Sequence, residues 1–323
     1  MTILLTGVAG FIGSHLAEQL LAVGHSVIGF DNLDDQYDPV LKWQNIGLFI
    51  DHPCFNFIQG DIRDQALVSD TIRRYQCDTV VHLAARAGVR SSVKEPGRSI
   101  DVNVNGTLAV LEAMRINKVR RLVMASSSSV YGNSPCVPFR EDDEAGTPLS
   151  PYAMSKRSAE LLAHTYHHLY KMDISCLRFF TVYGPRQRPE MAISHFTDQI
   201  IHHQPITLFG DGTTARNYTY IHDTVIGILR AIYHLKGYNV LNIGGPSSVS
   251  LRELVRVIEQ CVGHQAIIHW EPAQPGDVDL TCADLTRATD LIGYRPTIHL
   301  RDGLNRYVTW YRQQLEREQP QTV

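Results

Sequence analysis

The sequence has no apolar run near the ~20 residues that a membrane span needs. Its six cysteines, Cys54, Cys77, Cys136, Cys176, Cys261 and Cys282, include no C-x-x-C pair. That argues against a zinc site or a disulfide framework, and for buried free thiols in a reducing compartment. The opening residues Met1 to Gly7 lack a basic segment, and their apolar stretch is too short for a secretion signal. A cytoplasmic protein is therefore expected. The net charge of −3 offers no strongly basic surface, so no nucleic acid is expected as a partner. There is no internal repeat and no low-complexity tract. His164, His167 and His168 have the spacing of metal ligands on a helix, but no carboxylate motif accompanies them. They read as a solvated face, and no metal is expected. A chain of 323 residues can build two lobes around one large core, or two small domains.

What is present begins at once. Ile3, Leu4, Leu5 and Thr6 read as a short buried strand. It runs into Gly7-Val8-Ala9-Gly10-Phe11-Ile12-Gly13 and a helix over 12–23. The next strand, 26–30, closes with Asp31. The spacing is G-x-x-G-x-x-G. Glycines let backbone approach a pyrophosphate, and a helix N-terminus offers free N–H groups with a positive dipole end. Asp31 stands 18 residues beyond Gly13, where a carboxylate accepts hydrogen bonds from both ribose hydroxyls of an adenosine. The same charge repels a 2′-phosphate, so NAD is expected rather than NADP.

The alternation continues with a strand over 55–59, a helix over 64–75 capped by Asp64, and a continuously apolar strand over 78–85. A helix over 99–117 and a strand over 121–125 follow. Repeated strand–helix units imply an α/β fold, a Rossmann doubly wound parallel sheet with ligands beyond the carboxyl ends of its strands. Those ends carry Gly7, Asp31, Asp61, Ala84-Ala85 and the run Ser126 to Ser129. Because the serine run directly follows a core strand, it does not read as a linker.

Pro151 suits the first turn of a helix over 151–170. Tyr152 and Lys156 then lie one turn apart on one face. A free phenol titrates near ~10, and a neighbouring ammonium favours the phenolate. The pair can supply a general base if it faces a substrate hydroxyl, which a hydroxyl of the serine run would also reach. A last buried strand is read over 173–177. Beyond it come a helix over 192–203, a strand over 206–209, a helix to about residue 234, a strand over 240–244 and helices over 250–262, 284–292 and 300–318. The expected division is 1–178 for the dinucleotide-binding domain and 179–323 for a smaller mixed α/β substrate-binding C-terminal lobe, with part of the chain crossing back into the first. Residues 319–323 read as a frayed tail.

These pieces together resemble the extended short-chain dehydrogenase/reductases that act on nucleotide sugars. The matching residues are Thr6 to Gly13, Asp31-Asn32-Leu33, Asp61-Ile62, His82-Leu83-Ala84-Ala85, Ser126 to Gly132, and Pro151-Tyr152-x-x-x-Lys156. The resemblance implies bound NAD and a nucleotide-diphosphate sugar. It makes Tyr152 the base and gives Lys156 the nicotinamide ribose and the lowering of the tyrosine pKa. Ser127 is the implied catalytic serine, with Ser128 close in register. The implied cofactor contacts are Gly7, Gly10, Phe11, Ile12, Gly13, Asp31, Asn32, Asp61, Ile62, Leu83, Ala84, Ala85, Asn103, Ser126, Tyr152 and Lys156. On the substrate side the resemblance implies Arg90, Ser127 and Tyr152, Arg216 for the diphosphate, and Asp277 in the stretch near the nucleoside. It also implies a homodimer packed through the helices near 99–117 and 152–170.

The stretches 178–191 and 31–38 look most like UDP-glucuronate 4-epimerases. Such an enzyme oxidises carbon 4, lets the 4-keto sugar turn over and reduces its other face. The intermediate from a glucuronate is a β-keto acid, so the carboxylate must be held out of line with the ketone. Thr181 and Arg188, or Arg186, supply groups able to do that. Both arginines could instead serve the phosphates or a hinge. The competing expectations are a UDP-glucose or UDP-N-acetylglucosamine 4-epimerase, a UDP-glucuronate decarboxylase, and a non-catalytic NAD-binding protein. Decarboxylases of this group usually place an acidic residue beside the serine run, which offers only hydroxyls here. A non-catalytic protein would tend to lose Tyr152 or Lys156.

Overall fold

The computed structural model describes residues 1–143, 147–272 and 278–318. Strand β1 (Thr2–Thr6) leads into α1 (Phe11–Ala22), β2 (Ser26–Asp31), α2 (Pro39–Gly47), β3 (Phe55–Gln59), α3 (Gln65–Tyr75) and β4 (Thr79–His82). Two short helices, α4 (Val89–Lys94) and α5 (Pro96–Ile100), precede α6 (Gly106–Ile116). Then come β5 (Arg121–Ser127), α7 (Pro151–Tyr170), β6 (Asp173–Phe179) and β7 (Thr181–Tyr183). The later part holds α8 (Ala192–Ile201), β8 (Pro205–Phe209), β9 (Ala215–Tyr220), α9 (Ile221–Tyr233) and β10 (Tyr238–Ile243). It ends with β11 (Ser248–Ser250), α10 (Leu251–Val262), β12 (Ile267–Glu271), α11 (Thr286–Ile292) and α12 (Leu300–Glu318).

Seven strands form one parallel sheet in the order β10-β6-β5-β4-β1-β2-β3. Successive residues of β1 point to opposite faces, so Ile3 and Leu5 join one core and Leu4 the other. On the first face Leu16, Ala17 and Leu20 of α1 pack with Ile228 and Ile232 of α9. On the second, Val68 and Ile72 of α3 meet Val110 and Met114 of α6 and Ala159 and Ala163 of α7. Chain order reverses beside β1, which opens a crevice between the carboxyl ends of β1 and β4. β10 pairs with β6, so residues 238–243 return to the large sheet. The rest of the second half holds a three-stranded sheet of β11, β9 and β7 and a pair formed by β12 and β8.

The expected single helix over 99–117 runs on from α5 but departs from α geometry once: Asp101–Asn105 forms a wide π turn that joins α5 to α6 with helical backbone on both sides. There Asn103 spends its side chain on the backbone of Arg86, at 2.8 and 3.1 Å, and on Ser155 Oγ at 2.9 Å. The amphipathic pattern ran through the turn because the cause lies in distant partners. α2 was missed although Asp38 caps Val40 N–H and Pro39 starts the first turn. The strands β7, β9, β11 and β12 were missed as well. Of the cysteines, Cys77 and Cys176 are buried as expected, but Cys136 is exposed and the other three are half-buried; all are free. Residues 319–323, read as a frayed tail, lie outside the described residues.

Candidate active site

The carboxyl ends of β1 to β5 open into a cavity of about 540 Å³. At one end Gly7, Gly10, Phe11, Ile12 and Gly13 form its floor. Gly7 has φ +74°, and a Cβ there would lie 2.7 Å from Ala84 N. A Cβ on Gly13 would lie 2.0 Å from Gly7 O. The N-terminus of α1 has no side-chain cap, so its N–H groups face a glycine floor that only a ligand approaches closely. Asp31 is buried at the end of β2 and accepts from Ala9 N–H at 3.0 Å and Leu33 N–H at 2.9 Å. Burial pushes its carboxyl up, against those hydrogen bonds. Asn32 donates to Asp61 at 3.1 Å. Hydrogen bonds from Arg63 hold the Asp61 carboxyl down, to about 2. Ile62, Leu83, Ala84 and Ala85 complete this side. A bare helix N-terminus, a glycine cradle and a buried carboxylate fit a dinucleotide.

The same cavity is lined by Ser127, Ser128, Tyr152, Thr181 and Arg188. The Ser127 hydroxyl stands beside the Tyr152 phenol. Burial raises the Tyr152 pKa, while that hydroxyl and the Arg188 cation lower it. Lys156 lies behind the wall and donates to Ala125 O at 2.9 Å. Burial brings its pKa down to about 8, with Glu160 pulling the other way. Lys156 spends one donor on the Ala125 carbonyl, and the groups that lower the phenol's pKa in this structure are Ser127 and Arg188.

Several expected residues are not brought into the cavity wall. Ser126 turns its hydroxyl to Glu160 at 2.6 Å. Asn103 stands behind the wall on Arg86 and Ser155. Arg186 pairs with Glu18 of α1, so the reading that gave it the sugar carboxylate is corrected to a link between helix and lobe. Arg90 reaches Phe209 of β8, its guanidinium 5.2 Å from the ring centre. On β9, Arg216 donates to Ala215 O at 3.0 Å. Asp277 lies outside the described residues. His164 packs edge-on against Tyr238, and His167 bonds Met172 O at 2.6 Å. Among the described residues no group of three or more His, Cys, Asp or Glu is arranged to hold a metal.

Residues 3–244 match the model of the NAD-dependent epimerase/dehydratase family. The chain belongs to that family. A UDP-glucuronate 4-epimerase of Thermodesulfobacterium geofontis is 44% identical over 315 residues, covering 97% of each chain. The solved UDP-glucuronic acid 4-epimerase of Bacillus cereus, in complex with UDP-glucuronic acid and NAD, superposes with a TM-score of 0.92 at 38% identity. That match covers 97% of this chain and 100% of the other. The UDP-glucose 4-epimerase of Thermotoga maritima, solved with UDP-glucose, gives 0.90 at 31% identity, covering 98% and 100%.

As a member of this family the chain uses NAD. Around the family's glycine cradle the structure adds residues that sequence reading missed. Asp34, Gln36, Tyr37 and Lys42, after β2, and Arg86, Ala87, Gly88 and Val89, after β4, line the same cavity. Arg86 pairs with Asp34 at 2.8 Å and Glu95 at 2.5 Å. Arg98 also reaches Asp34 at 2.8 Å. Ala87 O accepts from Gln36 at 2.5 Å and from Arg188 at 3.1 Å. These bonds strap the two loops together. The signals in the sequence were Asp34 beyond the acid at β2 and Arg86 beyond Ala84-Ala85, but nothing in the chain paired them.

Proposed function

We propose that this chain is a UDP-glucuronate 4-epimerase, interconverting UDP-glucuronate and UDP-galacturonate through a 4-keto sugar. One observation carries the reading: Arg188 and Thr181 line the same cavity as Tyr152, and the Arg188 cation is close enough to act on the phenol. Tyr152, prepared by Ser127, takes the proton of the 4-hydroxyl and returns it after the sugar has turned over. NAD held in this cavity would supply the acceptor for the hydride of carbon 4 and the donor that returns it to the opposite face. The glycine floor and Asp31 hold the dinucleotide. Lys156, still protonated at neutral pH, holds the nicotinamide ribose. Arg188 and Thr181 bind the sugar carboxylate and keep its bond to the ring out of line with the ketone. Cavity-lining carboxylates are Asp31, Asp34 and Asp61, all after β2 and β3. None lies by the serine run, which speaks against a decarboxylase.

The pairing of two copies is part of the same proposal. Leu108 and Ile116 of α6 and Leu161 and Leu169 of α7 are exposed, Leu161 at 56% and Leu169 at 58%. Two such faces form a homodimer seam. Sedimentation at micromolar concentration is expected to give twice the chain mass. Free thiols support a cytoplasmic location. Among the described residues no helix is long and apolar enough to cross a membrane.

The test of the activity is to incubate the purified protein with UDP-glucuronate, UDP-glucose and UDP-N-acetylglucosamine separately, with and without added NAD, reading products by NMR. UDP-galacturonate is expected as the product. A UDP-pentose would make the protein a decarboxylase. Conversion of the neutral sugars alone would remove Arg188 and Thr181 from carboxylate binding.

A further inference from the structure

Three consecutive residues at the end of β5 meet three residues of α7 that stand one helical turn apart. Ala125 O accepts from Lys156 at 2.9 Å, Ser126 Oγ donates to Glu160 at 2.6 Å, and Ser127 stands beside the Tyr152 phenol. The outer pairs hold the groups assigned above to catalysis. The middle pair, Ser126 with Glu160, does not touch the cavity. Glu160 is fully buried and accepts twice from Arg178 of β6, at 2.8 and 2.9 Å. Arg157 adds a bond at 2.8 Å. Arg178 sits opposite Ser126 in the sheet register and 4.6 Å from the centre of the Tyr131 ring. Tyr131 in turn donates to Asn242 of β10 at 2.7 Å.

A buried carboxylate–guanidinium pair is weak evidence for stability, because apolar residues of the same volume often do as well. Its place here suggests another use. We propose that Glu160, clamped by Arg178, is a positioning residue for the catalytic group: it fixes the end of β5 against α7 through Ser126 and supplies the negative field in which Lys156 stays protonated. The inference rests on the proposed roles of Tyr152, Lys156 and Ser127. Lys156 faces Glu160 on its own helix, Cys176 on β6 and His82 on β4. Glu160 faces Arg157 on its helix, Arg178 on β6 and Tyr238 on β10. With burial opposing the ammonium, Glu160 is the carboxylate that favours its charged form.

The test is E160Q, measured as turnover of UDP-glucuronate with saturating NAD across pH, beside S126A, Y152F and K156M. E160Q keeps shape and removes charge. Its kcat is expected to fall about tenfold or more with KM unchanged, since a positioning residue acts on geometry rather than on substrate affinity. The alkaline limb of the kcat profile is expected to move down by about one pH unit. Wild-type kcat in folded E160Q overturns the proposal. So does a lowered kcat with an unmoved alkaline limb, which marks a merely structural role. If circular dichroism shows E160Q unfolded, S126A decides: a lower kcat at unchanged KM supports the clamp, and wild-type kcat overturns it. Wild-type turnover in Y152F or K156M would instead sink the catalytic assignment beneath it, whatever E160Q does.

Discussion

Arg186 and Arg188 stand two residues apart and are separated in space by one backbone feature. Arg186 has φ +65°, a left-handed conformation that costs a branched or long residue energy and turns the chain. It sends one guanidinium to Glu18 and leaves the other in the cavity. The sequence offered both as equals, because a left-handed residue without glycine leaves no mark in it. Their variants are expected to part accordingly. If Arg188 binds the sugar carboxylate as proposed, R188A removes one side of that charge pair, a loss of about 2 kcal/mol or more, near thirtyfold in KM. It should also release carbon dioxide and a UDP-pentose. R186M should leave KM and product unchanged and lower the unfolding free energy by about 1–3 kcal/mol. Steady-state kinetics with NMR of the products, and urea unfolding, separate the two. The glycines, by contrast, were fully legible. At Gly13 even one methyl group meets Gly7 O, so G13A is expected to abolish NAD binding measured by calorimetry.

Helix α7 was read correctly because its signals are local. Ser150 Oγ accepts from Ala153 N–H at 3.1 Å, Pro151 fills the first turn, and Tyr152 follows at once. The cap therefore orients the turn that carries the phenol. S150A is expected to cost about 1 kcal/mol of stability and to lower kcat more than it changes KM. S150D, which keeps a capping oxygen, should restore both. Denaturant titration and kinetics on the three proteins check this, and equal kcat in S150A would cut the link from cap to catalysis. The segment between β4 and α6 was illegible for the opposite reason. Its short helices and wide turn are held by Arg86, Asn103 and Glu95 reaching loops up to 52 residues away. Arg86 is only 8% exposed, so R86M takes from the cavity-lining Asp34 one of its two arginine partners, leaving Arg98, and loosens the two loops. It is expected to speed NAD release without changing the sugar product, as stopped-flow displacement would read.

At the scale of the whole molecule, two histidines tie its layers together in their neutral form. His82, at the end of β4, bonds Thr6 of β1 at 2.8 Å and Thr107 of α6 at 3.1 Å. His15 of α1 bonds Phe11 O at 2.9 Å and lies near Arg186, the link to the second lobe. Burial pushes both imidazoles down to about 3, helped by Lys156 at His82 and by Arg186 at His15. In the unfolded chain each titrates near ~6.5. Because the folded value is depressed for a base, the unfolded state binds more protons between these limits. Stability is then full above about pH 6.5 and falls as pH drops toward 3. Each histidine contributes a loss of about 1.4 kcal/mol per pH unit. Asp61, held down to about 2, adds its own loss only below the ordinary carboxylate range. Between pH 6.5 and 4.5 the histidines lose stability while Asp31 and Glu141, whose buried carboxyls are pushed up, offset part of the loss. The difference between wild type and H15Q removes that offset: urea unfolding across the window is expected to show a slope smaller in H15Q by about 1.4 kcal/mol per unit. An unchanged slope in H15Q would mean that His15 charges in the folded state and that α1 yields to admit it.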